Sequence, residues 1–196
     1  MGICGIDEAG RGPLAGPVVA AAVILPRKGR PKGLDDSKQL TLEQREELAV
    51  KIRAVGIVAV GVASVEEIDS LNILRASHLA MQRAFELLCA QQMPVAAIVD
   101  GNMAPELPCP VECVIDGDVI VPIVSAASII AKVERDRMMI DLCARYPGYA
   151  FSKHKGYGTP EHQAALATLG PCAIHRRSFK PVQEALAKFE QMRAAS

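Results

Sequence analysis

Hydrophobic residues along the chain follow two periods, one typical of strands and one typical of helices. Alternating or continuous apolar runs rich in Ile, Val and Ala predict β-strands at residues 3–8, 17–25, 57–64, 95–100 and 111–116. Apolar residues spaced three or four apart predict helices at residues 41–56, 74–92, 123–146, 160–170 and 181–195.

The order of these elements predicts the fold class. Strands come first and then alternate with helices, which is typical of an α/β domain whose mixed sheet is antiparallel early and parallel later. A tight turn containing glycine is expected between the first two strands. Thr41 and Gln44 form a capping-box pattern at a helix start, and Gly56 would end that helix. No Pro-rich or Ser-rich joint divides the chain, so we predict a single domain over 1–196, with a helical C-terminal part from about residue 160.

Composition limits the classes of partner. Half of the 196 residues are apolar, and 22 Lys and Arg balance 22 Asp and Glu. Zero formal charge argues against a protein that coats nucleic acid by bulk charge, so a polyanion would have to meet local basic segments. These segments are 27–32, 152–158 and 175–180. By default we interpret all three as solvated loops. The last two, however, each have an aromatic residue among their basic ones, Tyr157 and Phe179, and this combination suits contact with sugar-phosphate.

Cysteine usage and hydropathy predict the compartment. There is no charged leader, and no apolar stretch of membrane-spanning length is free of charge or proline. The six cysteines are therefore expected to be reduced thiols in a cytoplasmic chain without membrane contact. Cys109 and Cys113 lack a CxxC spacing or a well-placed His, which argues against zinc. We find no surplus apolar face, so we expect a monomer.

Acidic residues stand where three predicted strands end. Asp7 and Glu8 follow the first apolar run, Asp100 ends "VAAIVD", and Asp116 and Asp118 follow "VECVI". Functional groups of open α/β sheets gather at such strand ends. Two carboxylates about 4 Å apart repel by roughly 4 kcal/mol at an effective dielectric near 20, so four together require compensation.

Two divalent cations would cancel the charge of four carboxylates. Oxygen ligands without His or Cys favour Mg²⁺ or Mn²⁺ over zinc. Two such ions about 3.5–4 Å apart are a known device for phosphodiester cleavage. We expect the first strand to break near Glu8, so that Asp7 and Glu8 face one metal site.

Each of these features also has a simpler interpretation. Asp100 in "VDGN" and Asp116 before Gly117 are common turn residues. The glycines of "GRG", residues 10–12, fit either an ordinary turn or a backbone pressed against a ligand. This stretch matches neither GxGxxG nor GxxxxGK[ST], the glycine-rich motifs of nucleotide-binding proteins, and this argues against a nucleotide cofactor.

Taken together, the motifs resemble those of ribonuclease HII, the bacterial type 2 ribonuclease H. "DEAGRGPLAGPVVAAAVIL", "DSKQL", "VDGN", "SAASIIAKVERD", "HKGYGT" and "HRRSF" occur in the order and approximate spacing of that family, from residue 3 to about 182. The resemblance implies a ribonuclease H-like fold with a mixed five-stranded sheet flanked by helices. It also implies a metal-dependent endonuclease that cuts the RNA strand of RNA–DNA hybrids. Single ribonucleotides in duplex DNA would be cut on their 5′ side, which leaves 3′-hydroxyl and 5′-phosphate ends during ribonucleotide removal and primer processing.

The resemblance also implies the site residues, carried over motif by motif. The metal ligands and catalytic acids would be Asp7, Glu8, Asp100 and the acid before the "SAASIIAK" helix. Contacts with the 2′-hydroxyl and adjacent phosphate would come from Gly10, Arg11 and Gly12. Tyr157 would pack against the sugar at the RNA–DNA junction, and Ser37 and Lys38 would hold phosphate.

The fourth acid departs from the family pattern. Family members generally have Lys-Gly-Asp before the helix, where this chain has Asp116-Gly117-Asp118. Position favours Asp118, and Asp116 adds a negative charge nearby. Asp136, four residues after Lys132, is interpreted as a helix-stabilising ion pair. Two other functions stay open at this point: a two-metal DNA nuclease or recombinase of the same fold, and a catalytically inactive hybrid-binding module.

Overall fold

The computed structural model describes residues 2–34 and 40–194, and its centre is a five-stranded sheet with helices on both faces. Ser37 and Lys38, predicted to hold phosphate, lie outside the described residues. The strands are β1 (Ile3–Ala9), β2 (Val18–Ile24), β3 (Ile57–Ala63), β4 (Ala96–Asp100) and β5 (Val111–Val114). The helices are α1 (Leu42–Val55), α2 (Val65–Leu71), α3 (Ile73–Cys89), α4 (Gly117–Ile120), α5 (Pro122–Arg145), α6 (Phe151–His154), α7 (Pro160–Leu169) and α8 (Lys180–Ala194).

The sheet is mixed, in the order β3-β2-β1-β4-β5. β1, β2 and β3 pair antiparallel, whereas β4 runs parallel to both β1 and β5. The predicted α/β class and the change from antiparallel to parallel pairing are therefore confirmed. Because β1 and β4 are parallel neighbours, their carboxyl ends meet at one edge of the sheet. That edge holds the acids of both strands.

Each face of the sheet is buried under one long helix. On one face, α3 packs over Cys4, Ile6 and Val99, and on the other α5 packs over Ala21 and Val23, with α1 beside it. The contact with α5 is close, since a Cβ on Gly5 would stand 2.3 Å from the Ile123 carbonyl oxygen. On the α3 side, a Cβ on Gly61 would stand 2.1 Å from the Ala80 carbonyl oxygen. These small residues let both helices lie directly on the strands.

Helix starts follow local sequence signals. Thr41 and Gln44 form the predicted capping box of α1, and Gly56 ends that helix. A second capping box, between Ser64 and Glu67, starts α2, which was not predicted. Asn72, at φ +73°, then separates α2 from α3. None of the helices within residues 2–34 and 40–194 has the length and apolarity needed to cross a membrane.

The connection between β1 and β2 differs from the prediction. It is not a tight turn but an eight-residue segment, 10–17, here called the GRG loop. Its Leu14 N–H donates to the Gly156 carbonyl, and its Gly16 N–H donates to the Ile174 carbonyl, both at 2.8 Å. An isolated bridge joins Ala15 to the C-terminal segment as well. The loop is therefore built into the C-terminal part of the chain.

Candidate active site

Asp7 and Glu8 lie side by side in β1 and occupy opposite faces of the sheet. The expected strand break near Glu8 is wrong, because β1 continues to Ala9 and pairs there with Val19 of β2. Asp7 is on the α5 face, and it accepts hydrogen bonds from the Ser128 side chain and, at 2.7 Å, from the Glu8 N–H. Both carboxylates nevertheless line the same cavity, which lies at the carboxyl end of β1.

Asp100 and Asp118 bring two further carboxylates to this edge. Asp100 is the last residue of β4, and its Oδ1 accepts a hydrogen bond from the Asp118 N–H at 3.3 Å. β5 ends at Val114, two residues before the predicted end, and the chain turns through Asp116 at φ +55° into α4. Asp118 is thereby buried, whereas Asp116 is exposed.

The four acids line a single cavity of about 260 Å³. The same cavity is lined by the glycine–arginine–glycine segment and by Tyr157. The predicted site residues that it brings together are Asp7, Glu8, Gly10, Arg11, Gly12, Asp100, Asp118 and Tyr157. They come from distant parts of the sequence, and the parallel pairing of β1 with β4 places them together.

The acids at the cavity carry negative charge that the chain compensates only in part. Burial raises the pKa of Asp7 well above its ordinary value of 3.8, and the Glu8 and Asp100 carboxylates raise it further. Burial also raises the pKa of Glu8, although the Arg11 guanidinium, 3.3 Å from its Oε1, opposes the shift. Among the described residues, Lys132 and Arg135 also line the cavity, but Lys132 is paired with Asp136 and Arg135 donates to backbone carbonyls. The four carboxylates therefore keep an excess of negative charge beside Arg11, and this excess favours cations.

The donor set fits hard divalent ions in chemistry and location. All four groups are carboxylates, the ligands that Mg²⁺ and Mn²⁺ prefer, and no His or Cys lines the cavity. Within residues 2–34 and 40–194, no three His, Cys, Asp or Glu side chains are already arranged around a common metal position.

Two buried arginines hold the GRG loop from behind. Arg176 is fully buried and donates to the carbonyls of Gly10, Arg11, Gly16 and Pro17 at distances from 2.5 to 3.3 Å. Burial lowers the pKa of Arg176 to about 9, which leaves it charged at neutral pH. The prediction of a phosphate-contacting or solvated loop at 175–180 is therefore wrong for this residue, whose guanidinium is saturated by backbone carbonyls.

Arg135 of α5 is the second of these arginines. It donates to the Pro17 and Ala15 carbonyls at 3.0 and 3.2 Å. Gly10 lies against it at φ +100°, and a Cβ there would stand 2.0 Å from Arg135 Nε. Glycine is required at this position both for its backbone conformation and for the close approach.

Tyr157 lies beside Gly12 of the GRG loop and lines the same cavity. Its ring is 45% exposed, and its Cε1 lies 3.6 Å from the place a Cβ on Gly12 would occupy. An aromatic plane therefore flanks an open stretch of backbone. Within the predicted basic segment 152–158, His154 is nevertheless buried, so only part of that segment faces solvent.

Sequence reasoning missed three polar residues of α5 that line the cavity: Ser128, Lys132 and Arg135. Their spacing of four and then three residues places them on one helix face. This spacing is the feature of the sequence that could have identified them. The expected ion pair is confirmed, with Lys132 Nζ 2.8 Å from Asp136 Oδ1. Burial lowers the pKa of Lys132, and the bond to Asp136 partly opposes that shift.

The fold and this acid-lined edge define a ribonuclease H-like α/β protein. The chain belongs to the ribonuclease HII family, since the family model described as Ribonuclease HII matches residues 4–182. The ribonuclease HII of Rhizorhabdus wittichii is 57% identical over 182 residues, which are 93% of this chain and 89% of that protein. The chain is therefore a ribonuclease H, a hydrolase that cuts the RNA of RNA–DNA hybrids, and the family depends on divalent metal ions.

Solved structures show the same architecture. The ribonuclease H2 of Pyrococcus horikoshii OT3 is 27% identical, with a TM-score of 0.76 over 97% of this chain and 100% of that one. Bst-RNase HIII, solved in complex with Mn²⁺, is 22% identical, with a TM-score of 0.77 over 97% of this chain and 71% of that one. The second likeness concerns the fold alone.

Proposed function

We propose that this enzyme also cuts on the 5′ side of a single ribonucleotide embedded in duplex DNA, leaving 3′-hydroxyl and 5′-phosphate ends. The observation that carries the proposal is the composition of one cavity of about 260 Å³. Four carboxylates line it together with a glycine-flanked backbone and an exposed tyrosine. The carboxylates suit phosphodiester hydrolysis, and the other two features suit recognition of a sugar.

The proposed metal ligands are Asp7, Glu8, Asp100 and Asp118. Two Mg²⁺ or Mn²⁺ ions bound there would activate the attacking water and stabilise the leaving oxygen. The chain's part is to orient the ligands: Ser128 bonds Asp7, and the Asp118 N–H ties its own loop to Asp100. Arg11 holds Glu8 near the mouth of the cavity, where a nucleic acid phosphate would enter.

Discrimination of RNA from DNA is assigned to the GRG loop and Tyr157. The 2′-hydroxyl is the group that distinguishes RNA, and it both donates and accepts hydrogen bonds. Gly12 has no Cβ beside Tyr157, and the positive φ of Gly10 turns the chain at this point, so we assign the approach of the 2′-hydroxyl to the backbone of residues 10–12. Tyr157 would pack against the sugar on the other side of the junction, a deoxyribose in embedded substrates. Ser37 and Lys38 are proposed to hold phosphate without reading sequence.

A two-metal DNA nuclease or recombinase of the same fold is the competing function. Such an enzyme would use the four acids but would not need a GRG loop and a tyrosine that distinguish a 2′-hydroxyl from a deoxyribose. The close approach of Tyr157 to Gly12 at the cavity favours the ribonucleotide-specific enzyme.

One cleavage assay separates these functions. A labelled DNA duplex with a single ribonucleotide is incubated with the protein and Mg²⁺ or Mn²⁺, beside an all-DNA duplex of the same sequence. We expect one cut 5′ to the ribonucleotide, no cut in the all-DNA duplex, and none with EDTA. Cleavage of plain DNA would favour the recombinase class, and a cut only within longer RNA stretches would overturn the single-ribonucleotide activity.

Asp100→Asn tests the ligand set. It removes one carboxylate charge while preserving side-chain size, so we expect loss of cleavage with an unchanged circular dichroism spectrum. Asp141→Asn, the same change at an exposed position of α5, is the matched control and should retain activity. Activity retained in Asp100→Asn would remove that residue from the ligands.

A further inference from the structure

Three of the chain's four histidines form a buried cluster next to Tyr157. His162 and His175 are 0% and 1% exposed, and His154 is 9% exposed. The rings of His154 and His162 stack with centroids 4.5 Å apart, and the Nε2 atoms of His162 and His175 lie 3.0 Å apart. One nitrogen of that close pair has to carry the hydrogen, so the protonation of the cluster can be worked out from its partners.

The partners of His162 and His175 allow only one neutral arrangement. His162 Nδ1 lies 2.9 Å from the Tyr157 carbonyl, which can only accept, so Nδ1 carries the hydrogen. His162 Nε2 is then an acceptor, and His175 Nε2 donates to it. His175 Nδ1 is left as an acceptor, and it receives the backbone N–H of Cys172 at 2.9 Å.

His154 is fixed in the same way. Its Nε2 lies 2.7 Å from the Tyr149 carbonyl and therefore donates, while its Nδ1 accepts the Gly156 N–H at 3.2 Å. An added proton on any of the three rings would set two donors face to face. Burial accordingly lowers the pKa of His162 and lowers that of His175 to about 4. His162 and His175 are thus neutral, and the hydrogen-bond partners define one tautomer for each of the three rings.

This cluster holds both main-chain polar groups of Tyr157. The Tyr157 carbonyl accepts from the His162 ring at 2.9 Å and from the Thr159 N–H at 2.8 Å, and the Tyr157 N–H donates to the His154 carbonyl at 2.9 Å. The His162 ring is thus the side-chain donor of this pair, and its bond adds to a main-chain bond. Between them, the Gly156 carbonyl accepts the Leu14 N–H of the GRG loop at 2.8 Å. The backbone beneath the tyrosine is therefore fixed relative to the GRG loop, which lies directly beside it.

We propose that His162, held in its Nδ1–H tautomer by His175, is a positioning residue that orients Tyr157 toward the sugar at the RNA–DNA junction. The inference rests on the role proposed above for Tyr157. Without the bond from His162, the Tyr157 backbone is less firmly held, so the distance between the tyrosine ring and Gly12 is no longer fixed. The selective contact of the ring with a junction sugar would be weakened as a result. Loss of one net hydrogen bond corresponds to about a two- to tenfold change, which is the expected drop in junction selectivity.

The test measures kcat/KM on a duplex with one ribonucleotide relative to kcat/KM on a uniform RNA–DNA hybrid. His162→Asn places an amide N–H near the position of Nδ1 and keeps the bond to the Tyr157 carbonyl. His162→Gln places its amide near Nε2 and loses that bond, and His162→Leu loses both bonds. We expect the selectivity ratio to fall about two- to tenfold in the Gln and Leu variants and to recover largely in Asn.

Phe85→Leu is the packing control, because it shortens a buried side chain of α3, in a core cluster that does not contain the GRG loop, without removing a bond to Tyr157. It should lower stability and leave the selectivity ratio unchanged. A wild-type ratio in His162→Leu, or an equal loss in Asn and Leu, would overturn the inference.

Tyr157→Ala, assayed in parallel, separates this inference from the proposed function. If Tyr157→Ala keeps the wild-type ratio, the role proposed for the tyrosine is wrong and the positioning role fails with it. If Tyr157→Ala lowers the ratio and His162→Leu does not, only the positioning role is wrong.

The tautomers can also be measured in the wild-type protein, so this test does not depend on whether a variant folds. Long-range ¹H–¹⁵N correlation spectra distinguish histidine tautomers directly. We expect Nδ1–H at His162 and Nε2–H at His154 and His175. An Nε2–H tautomer or an imidazolium at His162 at neutral pH would overturn the inference.

Discussion

Replacing Arg176 by Met tests whether a buried guanidinium holds the GRG loop. The side chain is fully buried and donates to four backbone carbonyls, of which only Pro17 also receives a bond from Arg135. Three carbonyls would therefore lose this donor, at about 1–3 kcal/mol for each one left unpaired in the interior. The methionine no longer buries a charge, which offsets part of the loss. We expect the free energy of unfolding to fall by about 3–5 kcal/mol, near the low end of what three unpaired carbonyls could cost.

Urea unfolding followed by circular dichroism measures this change. Arg177→Met is the matched control, because it removes the same charge from the next residue, which is exposed, and it should shift stability by no more than about 0.5 kcal/mol. Arg176→Lys keeps the charge but replaces the planar fork by a single ammonium, so it should still lose part of the stability. A loss below about 1 kcal/mol in Arg176→Met would refute the account of the loop.

Two further predictions concern charge and packing. In divalent-free buffer, wild-type stability should fall as the pH rises from 3.8 through the raised pKa of Asp7, because the folded state holds that proton more tightly than the unfolded state. Asp7→Asn should therefore melt at a higher temperature than wild type at pH 8, and melting points that follow the same pH curve would contradict this reasoning. Gly61→Ala should cost about 1–3 kcal/mol of unfolding free energy, since the new methyl meets the Ala80 carbonyl oxygen at 2.1 Å; an unchanged urea midpoint would show that α3 can shift freely.

The sheet and the acidic edge could be predicted because they follow from short-range patterns. Apolar runs marked all five strands, and the acids at their ends marked the edge where parallel strands finish. The placement of Asp7 and Glu8 within one continuous strand was missed, because we expected adjacent acids to need a break before both could reach one site. No break is needed, because the cavity at the carboxyl end of β1 is lined by side chains from both faces of the strand.

The support of the site could not be predicted, because it depends on contacts distant in sequence. In "HRRSFK" nothing local distinguishes buried Arg176 from exposed Arg177, and the difference comes from carbonyls about 160 residues earlier. The missed helix α2 is a different case, since Ser64 and Glu67 carried its capping signal in the sequence. Long-range burial is the part that requires the three-dimensional structure.

The bonds between Arg176 and the loop after β1 also set an order of assembly. Every strand of the sheet has been synthesised by residue 114, yet the carbonyls of Gly10 and Gly16 meet their guanidinium only when residue 176 has left the ribosome. A nascent chain can thus pair its strands long before it can fix the conformation of the GRG loop, which is proposed to recognise the ribose. The proposed selectivity for the sugar would therefore be acquired only after the sheet has formed.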